Sequence, residues 1–173
     1  MKKIIFVLSV LFLCVICFLY FRNPSNTNSI NWYNGSISNA STMNDEKLIM
    51  VNFHKDWWSA CKLLDANTFS NTEISQLINQ NIISIKIDYG TSYGKKIFKQ
   101  YNLSALPSTI FLNKNLKVIE VISGYSPPHE FKIKLKHLLK IWKILDYYYG
   151  LLFQYFILNP SMLIHKIHWY GTQ

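Results

Sequence analysis

The sequence predicts an α/β fold in which helices cover both faces of a central mixed sheet. Three observations lead there. Short apolar runs alternate with amphipathic stretches between residues 47 and 140. The period of apolar residues switches between two and about 3.6 along that stretch. The resulting order is strand, helix, helix, strand, helix, strand, strand, helix, which a two-sided sheet satisfies.

Each element has its own signal. Residues 48–53, Leu-Ile-Met-Val-Asn-Phe, read as a buried strand. A turn and a short helix follow over 58–66. Ser70-Asn71-Thr72-Glu73 has capping-box spacing, with Ser70 as the expected cap of a helix that carries Ile74, Leu77 and Ile78 on one face. Ile83, Ile85 and Ile87 alternate with polar residues, the mark of a strand. Residues 94–101 form a short helix with Ile97, Phe98 and Tyr101 on its apolar side. Residues 108–112 and 117–122 flank an Asn113-Lys114-Asn115 turn and read as a hairpin. Gly124 breaks the chain, and a long helix starts near Pro128.

That last helix carries two apolar stripes. Phe131, Leu135, Leu138, Trp142, Leu145, Tyr149, Leu152 and Phe156 recur at spacings of four and three. Ile133, Ile141, Ile144, Tyr148 and Leu151 run beside them. About the first half suffices to cover a sheet. The aromatic remainder, 147–158, is too short and too amphipathic to span a bilayer, and Pro160 ends it. Three readings stand for it: a membrane-interface helix, a segment for a partner groove, or a fold-back onto the core.

The 173 residues suit one domain with appendages. Met1-Lys2-Lys3 precedes an uncharged, almost wholly apolar run over 4–21, closed by Arg22. The run would span roughly 27 Å as a helix, close to a bilayer core. Bulky residues end it where a cleavage site wants small ones, so a signal anchor is favoured over a cleaved signal peptide. The expected organisation is anchor or signal 1–22, polar linker 23–45, α/β domain 46–140 and aromatic helical extension 141–173. Lys2 and Lys3 would stay cytoplasmic, with the rest exported.

The formal charge is +9. No Gly-rich phosphate loop, zinc-finger spacing or RNA-binding aromatic motif accompanies it, so nucleic acid is not an expected partner. The lysines spread along amphipathic segments as a solvated face. Nothing calls for a cofactor, and no metal site is expected, because His54, His165 and His168 lack further ligands at useful spacing. Cys14 and Cys17 lie in the apolar run and read as small apolar residues. Cys61 is then the only cysteine of the domain and has no intradomain disulfide partner.

Four stretches together carry a family resemblance. They are Asp56-Trp57-Trp58-Ser59-Ala60-Cys61-Lys62, Thr68-Phe69-Ser70, the segment 102–109 containing Leu106-Pro107, and Ser123-Gly124-Tyr125. Residues 48–139 resemble the thioredoxin superfamily, and most closely the C-terminal periplasmic domain of DsbD-type thiol:disulfide interchange proteins. The resemblance implies a thioredoxin-like fold with an active-site turn of the pattern Trp-Cys-x-x-Cys-Lys. Here Trp58 stands at the first cysteine position and Cys61 at the second, resolving one. Trp58 has no thiol to attack a disulfide. The family's buried carboxylate corresponds to Asn52, whose amide is no general base near neutral pH. Lys62 remains as a supporting residue of the turn.

The resemblance further implies a cis Pro107, with the backbone at Leu106 free to pair with an extended polypeptide beside Trp57 and Trp58. It implies a bacterial inner-membrane protein of single pass whose domain faces the periplasm, or a periplasmic or secreted protein if the leader is cleaved. Three functions are open. The first is a thiol:disulfide interchange relative, impaired in two-cysteine catalysis, that binds a polypeptide or redox partner protein at the Pro107 groove. The second is a monothiol oxidoreductase using Cys61, for which burial as an inert apolar residue is the bland alternative. The third is a membrane-associated assembly factor acting through its C-terminal helix.

Overall fold

The structure is a computed structural model that describes Phe12, Cys14 and residues 29–43 and 47–158. Its elements in chain order are α1 (Ile37–Met43), β1 (Leu48–His54), α2 (Ser59–Leu63), a π-helical turn (Leu64–Phe69), α3 (Thr72–Asn81), β2 (Ile82–Asp88), α4 (Ser92–Gln100), β3 (Ser108–Leu112), β4 (Val118–Ser123) and α5 (Pro128–Leu158). The four strands form one mixed sheet in the order β2-β1-β3-β4. Strand β1 pairs with β2 in parallel and with β3 antiparallel, and β3 pairs antiparallel with β4.

Strand β1 is central, and every residue from Leu48 to Phe53 is buried. Its alternate side chains feed two cores. Leu48 and Met50 join Phe69, Ile74, Ile78, Phe111, Phe131 and Leu135 under the π turn, α3 and α5. Ile49, Val51 and Phe53 join Ile37, Ile85, Ile87, Phe98 and Ile110 under α1 and α4. The two-sided sheet expected from the element order is thus present.

Several local expectations are corrected. Ser70 does not cap α3, because its hydroxyl turns back to the Ala66 carbonyl. Asn71 caps instead, its side-chain oxygen accepting from the Ile74 amide at 3.2 Å. Glu73 does not close a capping box. It reaches across to Lys136 at 2.7 Å and Lys132 at 3.1 Å, clamping α3 to α5. The helix after Trp58 widens after Leu63 into the π turn, with the Ser70 amide bonding the Asp65 carbonyl at 3.2 Å. The start of α4 is Ser92, since the Thr91 hydroxyl caps Gly94 at 2.9 Å.

The segment read as a polar linker carries structure of its own. Ile30, Ile37 and Ala40 are buried. Trp32 bridges to Ser84 on the outer edge of β2, and the Tyr33 amide bonds the Ser84 carbonyl at 2.7 Å. Sparse apolar residues among Asn and Ser suffice there, because the open edge of β2 offers backbone partners. The apolar run at 4–21, with Cys17, lies outside the described residues apart from Phe12 and Cys14. So do His165, His168 and the end of the chain past α5. Among the described residues no helix is long and apolar enough to cross a membrane.

Helix α5 locks the domain through its first three turns. Phe131 is fully buried and meets Phe69 edge-on at 5.6 Å and Phe111 at 6.4 Å between ring centroids. Replacing Phe131→Ala leaves a cavity between β3, the π turn and α5. We expect a loss of about 3–5 kcal/mol in urea unfolding of the domain. A loss below about 1 kcal/mol would mean that α5 is not part of the folding unit.

Candidate functional site

Two chain segments meet at one end of the sheet. Strand β1 ends at His54 and delivers the turn Lys55-Asp56-Trp57-Trp58. Strand β3 begins at Ser108 and is fed by Ala105-Leu106-Pro107. Because β1 and β3 are paired through Phe53 and Ser108, the two approaches are neighbours.

The turn is held by its own backbone. The Trp58 amide bonds the Lys55 carbonyl at 3.1 Å, and the Trp58 carbonyl accepts from Cys61 at 3.0 Å and Lys62 at 3.1 Å. Trp58 is therefore the N-cap residue of α2, in an extended conformation and with no side-chain cap bond. Its indole faces outward and is 45% exposed, beside Trp57 at 68%. The two rings stand edge to face at 5.6 Å. Together the two indoles form an exposed apolar patch at the turn.

Opposite them, the Leu106–Pro107 bond is cis, as expected. Neighbouring polar groups secure that loop. The Ser108 hydroxyl donates to the Ala105 carbonyl at 2.6 Å, and the Pro107 carbonyl accepts from the Gly124 amide at 2.7 Å. Gly124 sits at φ +77°, a region a side chain would strain. Among the described residues, the Leu106 amide and carbonyl take part in none of these bonds. Between the two segments lies an open groove of about 450 Å³, lined by Lys55, Trp57, Trp58, Tyr89, Phe98, Ser104, Ala105 and Leu106. The structure thus brings together Trp57, Trp58 and Leu106, with Pro107 buried behind them. Tyr89, Phe98 and Lys55 also line it. No sequence signal marked them, since Tyr89 and Phe98 reach the groove only through the parallel β1–β2 pairing and the packing of α4.

Cys61 lies one helical turn behind Trp58 and is 3% exposed. Burial pushes its thiol pKa up, opposed by a backbone hydrogen bond from Lys55. It is a free thiol, and Cys14 is free and exposed. Lys62 is exposed on α2 and is not part of the groove lining.

Asn52 is 1% exposed on β1, and its amide nitrogen donates to the Thr109 hydroxyl of β3 at 2.9 Å. Its partner in register on β2 is Lys86. The Lys86 ammonium is held by both oxygens of Asp65 in the π turn, at 2.9 and 2.8 Å, and lies 5.4 Å from the Trp32 ring. With an amide at 52, the Lys86 charge beside it is not left unpaired, because Asp65 supplies the counter-ion. His54, two residues on, is mostly buried. Burial lowers its pKa, helped by the Lys86 ammonium and opposed by Asp56, whose carboxylate is 3.2 Å from its Nδ1. Among the described residues no group of His, Cys, Asp and Glu is gathered as a metal site would need.

The raised pKa of Cys61 fixes the sign of its pH response. A thiol whose folded pKa lies above its unfolded value stabilises the fold below the unfolded pKa, and loses that contribution as pH rises through the folded pKa. Alkylation of Cys61 by iodoacetamide should be at least about tenfold slower in the folded chain than in urea at the same alkaline pH. The test is residue-resolved mass spectrometry. Equal rates would remove the buried, protonated thiol.

The comparisons agree with this geometry. The thioredoxin-like domain family matches residues 38–139, more than half of the chain. The thiol:disulfide interchange protein DsbD of Photorhabdus laumondii is 26% identical over 113 residues, 64% of this chain and 19% of the relative. That of Campylobacter jejuni is 33% identical over 119 residues, 60% of this chain and 21% of the relative. The chain thus spans about a fifth of the length of these curated relatives. In fold it is similar to a thioredoxin from Thermus thermophilus, with a TM-score of 0.57 at 20% identity over 64% of this chain and 88% of that one. It is also similar to the oxidised C-terminal domain of Neisseria meningitidis DsbD, with a TM-score of 0.50 at 20% identity over 58% and 87%. The chain belongs to the thioredoxin-like domain family and is a distant homologue of the DsbD C-terminal domain.

Proposed function

We propose that this chain is a polypeptide-binding member of the thiol:disulfide interchange type that does not perform two-cysteine exchange. It holds an extended segment of a partner protein in the groove between Trp57-Trp58 and Leu106. The observation that carries this reading is the pairing of an open groove of about 450 Å³ with a cysteine only 3% exposed. Binding chemistry is at the surface, and thiol chemistry is beneath it.

The groove suits a peptide backbone. The Leu106 amide and carbonyl are available for strand addition. Trp58, Trp57 and Tyr89 offer flat apolar walls for alternate side chains. The exchange chemistry lacks its parts. Attack on a disulfide needs a thiolate at the helix N-terminus, where free amides stabilise it. The N-cap position holds an indole. Asn52 offers no oxygen base for the Cys61 proton, and Asp65 is committed to Lys86. In this reading the segment at 4–21 anchors the chain in a bacterial inner membrane, with the domain in the periplasm.

Two measurements test the proposal. Trp fluorescence should report binding of a permanently unfolded polypeptide, reduced and S-carboxymethylated so that it offers no thiol. Trp58→Ala should weaken that binding about 30-fold, the scale of a central aromatic anchor. No binding by the unaltered chain, or an unchanged affinity in the variant, would contradict the reading. Separately, the unaltered chain should give no turnover in a disulfide-reduction assay. Trp58→Cys should recover slow turnover, and adding Asn52→Asp should raise it by at least about tenfold, the lower range of general-base contributions. Full activity from Trp58→Cys alone would remove Asn52 from the account.

A further inference from the structure

Helix α5 is about 46 Å long. Only its first part meets the domain, through Phe131, Leu135, Leu138 and Leu139, with Trp142 half-buried at the margin. The second apolar stripe stays outside. Ile133, Ile141, Ile144, Tyr148 and Leu151 are all exposed. Past Trp142 the first stripe joins them, since Leu145 is 43% exposed and Tyr149 is 69% exposed.

The angular width of this surface selects its occupant. At about 100° per residue, Leu151 and Tyr149 mark its two edges, with Ile144, Tyr148, Ile141 and Leu145 between them, an arc of about 160°. The opposite side carries Lys143, Gly150 and Gln154, with Tyr147 towards the Leu151 edge. A two-stranded helical seam uses a narrower stripe of two positions per heptad. A broad arc with tyrosines suits a helix lying in the headgroup region of a bilayer, where one side is apolar and the other wet.

Charge points to the kind of bilayer. Lys132 and Lys136 are tied to Glu73. Lys140 and Lys143 are exposed at the start of the uncovered half and form no ion pair among the described residues. The whole chain carries +9. We propose that residues 141–156 lie in the interface of an anionic phospholipid bilayer, with Ile144, Tyr148 and Leu151 inserted and Lys140 and Lys143 on the headgroups. The site is separate from the groove and does not depend on what the groove binds.

A photocrosslinker tests this in the full chain. Tyr148→p-benzoylphenylalanine, reconstituted in vesicles of equal phosphatidylglycerol and phosphatidylcholine, should form a covalent phospholipid adduct on irradiation. The same group at Gln154, on the opposite face, should give several-fold less adduct, so that tethering by any other segment is controlled for. Adding Lys140→Glu and Lys143→Glu should cut the yield at 148 by about tenfold or more. A crosslink at 148 to a second copy of the chain would overturn the proposal. So would equal lipid yields at 148 and 154, no lipid adduct, or the same yield in pure phosphatidylcholine.

Discussion

Two-sided burial of strand β1 is the constraint on which the rest depends. Its residues Leu48–Phe53 contact no water, so both faces must be covered and both edges paired. Coverage recruits α1 and α4 on one side, and the π turn, α3 and α5 on the other. Pairing fixes β2 and β3 beside it. The Trp57-Trp58 turn then emerges at the end of β1 next to the loop that opens β3. A groove between those segments is a consequence of that pairing. It needs no thiol for its shape.

A single polar column interrupts this apolar strand. Asn52 bonds Thr109, and its neighbour in register, Lys86, is neutralised by Asp65. A carboxylate at 52 would lie next to that ammonium and compete with Asp65 for it. An amide needs no such counter-ion and bonds the Thr109 hydroxyl. The column is therefore electrically closed without residue 52, and its stability does not rest on the proton chemistry of Cys61. The architecture of the site therefore does not depend on a carboxylate at 52. His54 belongs to the same neighbourhood, and its lowered pKa follows from burial beside the same lysine.

The strands were legible because apolar and β-branched residues repeat at period two or cluster between turn signals, and the β3 bounds coincide with the strand expected at 108–112. The motif residues Trp58, Cys61, Leu106 and Pro107 were placed by resemblance, and the fold brings them to one end of the sheet. Other features were not legible for local reasons. Ser70 looks like a cap by spacing, but the π turn rotates its hydroxyl onto Ala66 and hands the role to Asn71. The 29–43 segment looks like a linker by composition, yet buried Ile30, Ile37 and Ala40, the packing of Trp32 and Tyr33 and a backbone bridge to Ser84 bind it to the domain. Tyr89 and Phe98 enter the groove through long-range pairing that no local pattern encodes. Asp65, in the π turn, meets Lys86 of β2 at 2.8 Å, a pairing 21 residues apart that local spacing does not mark.

In the function proposed, the groove recognises a polypeptide without help from Cys61. The most direct measurement is the affinity of the full chain and of its Cys61→Ser variant for the same thiol-free unfolded polypeptide. Serine keeps the size of the buried side chain and removes the sulfur. The two affinities should be equal within about twofold, well under the 1.4 kcal/mol that a tenfold change represents. Loss of binding in a folded Cys61→Ser variant would contradict it and return the thiol to the centre of the function.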